Sequence, residues 1–535
     1  MKSRVLTLVT AIALFAAVAV PDQLAAQGSQ DHKDQHHHYK LIDVGTFGGS
    51  ASFINPPFNV NPELSGRGVT AGGSATAVST TSISNGFVCG GLDGLVPKVF
   101  HAFEWRDGAV LDLGALPPVR ENCSNAEAVN NSGDIVAGVS ENDNIDPVLG
   151  IKELRAVRWT NGEAKDLGNL GGSIGAAVSL NERGQIAGFA TNAVSDPYSF
   201  YYFLAFGSSN GTQTRAFLWD TENGMQDLGT LGAGNDALAT LLNERGQVAG
   251  QAYTNSTPNS TTGFPTADPF LWDKENGMTD LGTLGGTVGN PTALNNRGQV
   301  IGSSNLSGDQ SFHPFLWEQG NLIDLYANTE GGNPLTADAI NDAGEIVGAG
   351  AFQNESSDAY LWREGTATDL GHLAGDCTSR GWAINSKSQV VAESYACTGG
   401  NARAFLWENG SIIDLNTLIP PRSSLQLVWP MAINDREEIA GVGLPAGCHG
   451  FDNAGECGHA FLLIPCDGNH PAVEGCDYSM VEASAVVSRP SSAVGAQGAG
   501  LWRQHRCDQS AGIALRAAPS GSRFTCTAGA GGSFC

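Results

Sequence analysis

Residues 215–232 read RAFLWDTENGMQDLGTLG and residues 241–250 read LLNERGQVAG. In the first stretch Phe217 and Trp219 alternate with Ala216 and Leu218, so an extended strand here is apolar on both faces. A strand sandwiched between two neighbouring sheets needs that pattern. Asp227-Leu228-Gly229 ends a further strand. In the second stretch Asn243-Glu244-Arg245-Gly246 is a tight turn whose glycine can take positive φ, with an apolar strand on either side.

The same phrases return in the same order along the chain. The strand-ending tryptophans are Trp105, Trp159, Trp219, Trp272, Trp317, Trp362 and Trp407, with Leu463 in the eighth place, at spacings of 54, 60, 53, 45, 45 and 45. A minimal unit near 45 residues holds four short strands and their turns, the size of a propeller blade. We label the strands a (before the Asn turn), b (after it), c (ending in Trp) and d (Asp-Leu-Gly). Ala128, Ala293, Ala339, Ala383 and Ala432 recur in strand a, and such small side chains suit the crowded innermost strand.

The phase of the repeat separates two architectures. A lone d strand at Leu41 to Gly45 precedes the first a strand, and the chain's last unit stops after c, at Met431 to Ile464. That orphan would complete the last unit, and a ring closed in this way has no open edge. The reading is therefore all-β: an eight-bladed β-propeller of four-stranded repeats over residues 40–465, closed by an N-terminal outer strand, with a β-solenoid as the alternative. The turn of the first unit falls either near Arg67 or near Gly86, and Arg67 is preferred.

Lys2 and Arg4 before an apolar run from Val5 to Val20, then Ala25 and Ala26, give the layout of a secretory signal peptide over 1–26. A flexible His-rich arm (27–39) follows, and a Cys-containing low-complexity tail is expected over 466–535. The net charge of -26 disfavours nucleic acid and anionic lipid as partners. All eleven cysteines lie beyond the apolar run, consistent with an oxidising compartment, periplasmic or extracellular. Cys377 with Cys397, Cys448 with Cys457 and Cys466 with Cys476 are candidate disulfides, and Cys89 with Cys123 a further one. No membrane insertion is expected, and the chain reads as a monomer.

At RAFLWDTENGMQDLGTLG, at DPFLWDKENGMTDLGTLGG (268–286) and at GHAFLLIP (458–465) the chain resembles the extracellular HAF-repeat family, whose His-Ala-Phe phrase stands at His101 to Phe103 and His459 to Phe461. The resemblance spans roughly residues 40–465. It implies an exported bacterial repeat protein and brings no established catalytic residues. The chain departs from the phrase where His is replaced by Arg155, Arg215, Asp268, Asp358 or Arg403.

Repetition itself weighs against chemistry. Asp43, Asp112, Asp166, Asp227, Asp280, Asp324, Asp369 and Asp414 stand in every unit, as a backbone acceptor fixing a turn would. His101, His313 and His459 share a position that Arg fills elsewhere, and Arg cannot ligate a metal. The Gly-x-Ser-x-Gly match at Gly171 to Gly175 is a product of the repeat, so no catalytic residue is assigned. Asp143 and Asp146, in an Asp- and Asn-rich stretch, are weak Ca2+ candidates, and Ca2+ is the one cofactor contemplated.

Residues that break the period carry more information. The b–c connections are long in the early units, and an insertion in the third unit holds Tyr198, Tyr201, Tyr202 and Phe203. Aromatic side chains exposed there would stack on sugar rings or anchor a protein. The expected function is an exported, non-enzymatic module binding a glycan or a protein through its b–c loops. The alternatives are a polysaccharide hydrolase or lyase using loop carboxylates such as Asp143 or Asp196, and a structural cell-surface protein.

Overall fold

A computed structural model describes residues 35–54, 64–80, 98–204, 206–352, 357–397, 402–448, 454–471 and 473–482. The segment 1–34, which contains the expected signal peptide, and the segment 483–535 lie outside the described residues, as does Cys89. Among the described residues no helix is long and apolar enough to cross a membrane.

The strands pair as the repeat phrases require. The third unit runs Gly171–Leu180, Ile186–Ser195, Thr212–Asp220 and Gly224–Asp227, each antiparallel to the one before. Among the described residues the pairings sort into eight such four-stranded units, and a parallel bridge from Ala267 to Val288 joins the sheets of units 4 and 5. In unit 6 strand a is split into Asn333–Pro334 and Ala339–Ile340. The a strands of units 2 to 8 contact one another in succession, whereas of the d strands those of units 1 and 2 touch only slightly, so the a strands line an axis and the sheets radiate from it. The molecule is a β-propeller.

Strand c shows why both of its faces must be apolar. Phe217 and Trp219 pack on Ala137, Ala156 and Leu167 of unit 2, whereas Ala216 and Leu218 pack with Ala237 and Ala239 of unit 4. One strand thus welds three units through the hydrophobic effect. The tryptophan position is uneven: Trp159 is fully buried, whereas Trp272, Trp317 and Trp407 are half-buried.

The Asn turn carries a second continuous interaction. Asn181 Oδ1 accepts the N–H groups of Arg183 and Gln185, and its Nδ2 donates to Gln185 Oε1 and to the backbone carbonyl of Asn243 in the next unit. Asn243 does the same toward Asn295, Asn295 toward Asn341, Asn341 toward Asn385 and Asn385 toward Asn434. Asn434 Nδ2 then donates to Ser65 O of unit 1 at 2.8 Å. The turn of unit 1 therefore lies at Ser65 to Gly68, beside Arg67. The circuit is completed from Gly66 N to Asn131 Oδ1 and from Ser132 N to Glu182 Oε1. These asparagines are buried, and each spends its amide fully, as a buried polar group must.

Ring closure has two strands. Tyr39–Asp43 pairs antiparallel with His459–Pro465, from Tyr39 opposite Pro465 to Asp43 opposite Phe461. Gln35–His37 pairs with Met480–Glu482, and His36 is buried against Glu408. The expectation of a flexible arm up to residue 39 and a low-complexity tail from 466 is corrected at these points. Buried His36 gains a carboxylate partner in the half-buried Glu408, and the loop from Cys466 to Cys476 is closed by a bridge that leads the chain back to the arm. The pairs Cys377–Cys397 and Cys448–Cys457 are also at disulfide distance, and Cys123 is disulfide-bonded as well.

Asn295→Ala leaves the N–H groups of Arg297 and Gln299, the Gln299 amide oxygen and the Asn341 carbonyl without this partner, and should lower the free energy of unfolding by about 3 kcal/mol in urea titrations; a change within experimental error would remove the circuit from the stability of the ring. Deleting residues 40–46 should lower Tm far more than deleting residues 484–535, and equal shifts would contradict closure by the N-terminal strand.

Candidate functional site

The repeated carboxylates are spent on structure. Asp112 Oδ1 accepts the Gly114 N–H, and Asp43, Asp166, Asp227, Asp280 and Asp369 accept the corresponding N–H of their own turns. Asp324 and Asp414 accept the N–H groups of Ala327 and Asn416 instead. The sequence did not reveal a second role. The residue at the His position of the repeat, eleven or twelve places earlier except at the ring closure where His459 meets Asp43, faces the same carboxylate across strands c and d. His101 faces Asp112 at 3.0 Å, Arg155 faces Asp166 at 3.0 Å, Arg215 faces Asp227 at 2.9 Å, His313 faces Asp324 at 2.8 Å, Arg403 faces Asp414 at 3.1 Å and His459 faces Asp43 at 2.9 Å. His and Arg alternate because either supplies a cation or donor to the Asp. Burial disfavours the charge on Asp112, but the hydrogen bond and charge of His101 and the Gly114 N–H hold the carboxyl below its ordinary range.

Two units put a second carboxylate where that cation belongs. In unit 6 Asp358 stands beside Asp369, and His372 compensates by meeting Asp358 at 2.7 Å. That hydrogen bond raises His372, while burial and then the Asp358 charge push Asp369 up to about 6. In unit 4 Asp268 faces Asp280 with no such histidine, and burial followed by the Asp280 charge pushes Asp268 up to about 7.

The aromatic insertion of unit 3 is folded inward, which corrects the expected exposed platform. Residues Phe200–Leu204 form a π-helical turn. Phe200 stacks on Tyr253 at 4.2 Å between ring centres, and Tyr201 lies 6.0 Å from Phe189. Tyr201 and Tyr202 are each 1% exposed. They join a core with Val139, Leu154, Ile174 and Leu238 from units 2 to 4, whose apolar ends the insertion covers. Rings of this size gain more by covering that surface than by remaining in water. Tyr198 and Phe203 stay half-buried, edge to face at 5.5 Å.

The acidic loop residues serve the same cover. Asp146 is buried, accepts the N–H groups of Val148 and Leu149 and the Tyr202 hydroxyl at 2.6 Å, and also bonds Ser173 Oγ. Its oxygens are saturated, which corrects the Ca2+ reading. Asp143 is exposed, 3.8 Å from Lys152 Nζ. Among the described residues no group of three or more His, Cys, Asp or Glu side chains could hold a metal ion. Asp196 is buried too, accepting from Tyr198 N and Asn235 Nδ2. It adjoins Asp236, which accepts the Phe200 N–H at 2.6 Å and is held well above the carboxylate range by burial and by the charge of Asp196. Both clamp the insertion and neither is open to a substrate.

A different set of side chains breaks the period around the axis. Arg380 in strand a of unit 7 donates to both oxygens of Asp338 in unit 6, at 2.9 and 2.6 Å, and lies 4.2 Å from the ring centre of Trp382. Opposite Arg380 in the register is Glu393, fully buried and hydrogen-bonded by the Tyr395 hydroxyl. Burial pushes Glu393 up to about 7, against the opposing pull of Tyr395, Arg380 and the indoles of Trp382 and of Trp429 in unit 8. Trp382, Tyr395 and Trp429 are half-buried. The cluster thus combines partly accessible aromatic rings with a buried ionic network. Its members come from three units with no shared motif, so no local signal announced it.

No protein-family model matches the sequence, and no curated protein matches it. Among solved structures the chain is similar to a prolyl endopeptidase at 9% identity, covering 76% of this chain and 56% of that one, with a TM-score of 0.44. It is also similar to the acylaminoacyl peptidase of Pyrococcus horikoshii (12% identity, 58% and 48% covered, TM-score 0.35) and to TolB from Acinetobacter baumannii (10%, 62% and 80%, 0.28). The chain spans about half the length of these two peptidases.

A carboxyl whose pKa is raised on folding stabilises the fold below its unfolded pKa, near 4, and that contribution is lost as pH rises through the folded value. For Asp268 the window is pH 4 to about 7. Asp268→Arg, which restores the cross-strand pair of neighbouring units, should therefore raise Tm more at pH 8 than at pH 5. A gain independent of pH would show that Asp268 does not titrate in this window.

Proposed function

We propose that the chain is an exported, non-enzymatic binding protein of the HAF-repeat kind and that it recognises a glycan through the axial cluster of units 6 to 8. The observation that carries this reading is the grouping of half-buried Trp382, Tyr395 and Trp429 over the Arg380–Asp338 pair and Glu393. Aromatic rings cover the apolar faces of a sugar, and the part-exposed Arg380–Asp338 pair, unlike Glu393, is placed to orient its hydroxyls. The cysteine pairs and the apolar N-terminal run support export. The site differs from the loops of units 1 to 4 that the sequence pointed to, because the aromatic side chains there are engaged in packing.

Titration with a panel of oligosaccharides tests the reading. Trp382→Ala and Trp429→Ala should each weaken binding about tenfold or more, a loss of about 1.4 kcal/mol, while thermal unfolding remains cooperative. Unchanged affinity in both folded variants would refute the site. A second reading rests on Glu393 alone: a carboxyl near neutrality suits a general acid or base of a polysaccharide hydrolase or lyase. It stands second because Glu393 is fully buried beneath Tyr395. Turnover of any oligosaccharide in the panel that disappears in Glu393→Gln would put it first.

A further inference from the structure

At the junction of units 7 and 8 a cavity of about 370 Å3 opens between the d–a connection, residues 416–426, and the start of the b–c loop, residues 444–448. Ile419, Pro420, Pro421 and Leu444 supply apolar walls, and Ser423 and Gln426 supply polar atoms. Among the described residues Arg422 is the single charged member of the lining, and no carboxylate contributes to it. That is unusual for a chain with 54 acidic and 28 basic residues. Most arginines described above are tied to an Asp or Glu, whereas among the described residues no carboxylate lies within salt-bridge distance of the exposed Arg422.

The loop that presents Arg422 is built rigidly. Asp414 caps the turn Leu415–Thr417, and Asn416 is braced against Leu427 by donating to its carbonyl and accepting its N–H. Pro420 and Pro421 fix the backbone, and Ser423 donates both its N–H and its hydroxyl to Pro420 O. Arg422 itself adopts φ +67°, a left-handed conformation that a non-glycine residue holds only where its surroundings dictate it. A side chain carried on a fixed backbone loses less freedom on pairing with an anion than one on a mobile loop would. Leu444 and Cys448, which line the cavity, belong to the hydrophobic cluster against which Tyr395 and Trp429 pack.

We infer that this cavity is an anion-selecting subsite that receives a carboxylate-bearing sugar of the ligand, a uronic acid, with Arg422 pairing its carboxylate. The guanidinium fork matches a carboxylate through two parallel N–H···O bonds. The proline and isoleucine walls meet the C–H face of the ring, and the Ser423 hydroxyl retains lone pairs for a sugar hydroxyl. This inference rests on the glycan reading and narrows it from glycans in general to acidic ones.

Isothermal titration of the full chain with a glucuronate-terminated oligosaccharide and a neutral oligosaccharide of equal length tests it. The acidic ligand should bind at least tenfold more tightly. Arg422→Asn, which tolerates positive φ and removes the charge, should bring the ratio of the two affinities to about one, and Arg422→Lys should retain part of the preference. Equal binding of both ligands by the unmodified protein, or a preference that survives in Arg422→Asn, overturns the subsite and leaves the glycan reading standing. Binding of an aspartate-rich peptide as tightly as the acidic oligosaccharide also overturns it. Absence of binding to either oligosaccharide fails the glycan reading and the subsite together.

Discussion

The interaction on which the rest of the structure depends is the amide of the turn asparagine. It shapes its own hairpin through two accepted N–H groups, and it grips the next unit through one donated bond. Because that next carbonyl belongs to another turn asparagine in five of the six steps, local turn geometry and the spacing between units are set by the same side-chain amides. The apolar faces of strand c add the bulk of the attraction, but non-directional burial does not fix an angle between sheets. A directional bond at the axis does, and six of them in series leave the ring little freedom.

Around that frame the repeated polar residues neutralise one another. The cross-strand pairs between the His position and the Asp-Leu-Gly carboxylate engage three arginines and three histidines. The outer rim is therefore a set of satisfied couples rather than a field available to ligands. Exposed couples of this kind contribute little each to stability; their value lies in register, since only one alignment of strands c and d brings the two side chains together. Where the couple fails, in units 4 and 6, the structure responds differently, with a titrating carboxyl in one and a displaced histidine in the other.

The sequence made legible whatever repeats or lies close along the chain. Asn-x-x-Gly, the doubly apolar strand c and the orphan outer strand each state a local requirement that the fold obeys. The pairings Cys377–Cys397, Cys448–Cys457 and Cys466–Cys476 were also readable, because each bridge spans one short connection. The fate of Tyr201 and Tyr202 was not, since an aromatic run reads the same whether it meets solvent or covers the ends of three sheets. The axial cluster was hidden for another reason. Asp338, Arg380, Glu393 and Trp429 become neighbours only when three units converge, and nothing in the spacing of 338, 380, 393 and 429 marks them.

The closing pair of strands has a consequence for the life of the molecule before it is folded. Tyr39–Asp43 and His459–Pro465 stand more than four hundred residues apart along the chain, so the first strand of the ring to be synthesised must wait for nearly the last. Until they meet, the chain presents two unpaired sheet edges at the two ends of an incomplete arc. Contacts this remote form slowly, and waiting edges invite pairing with other chains. A ring sealed in this way cannot be finished domain by domain during synthesis. Its assembly is a single late event, reached only once nearly the whole polypeptide is available.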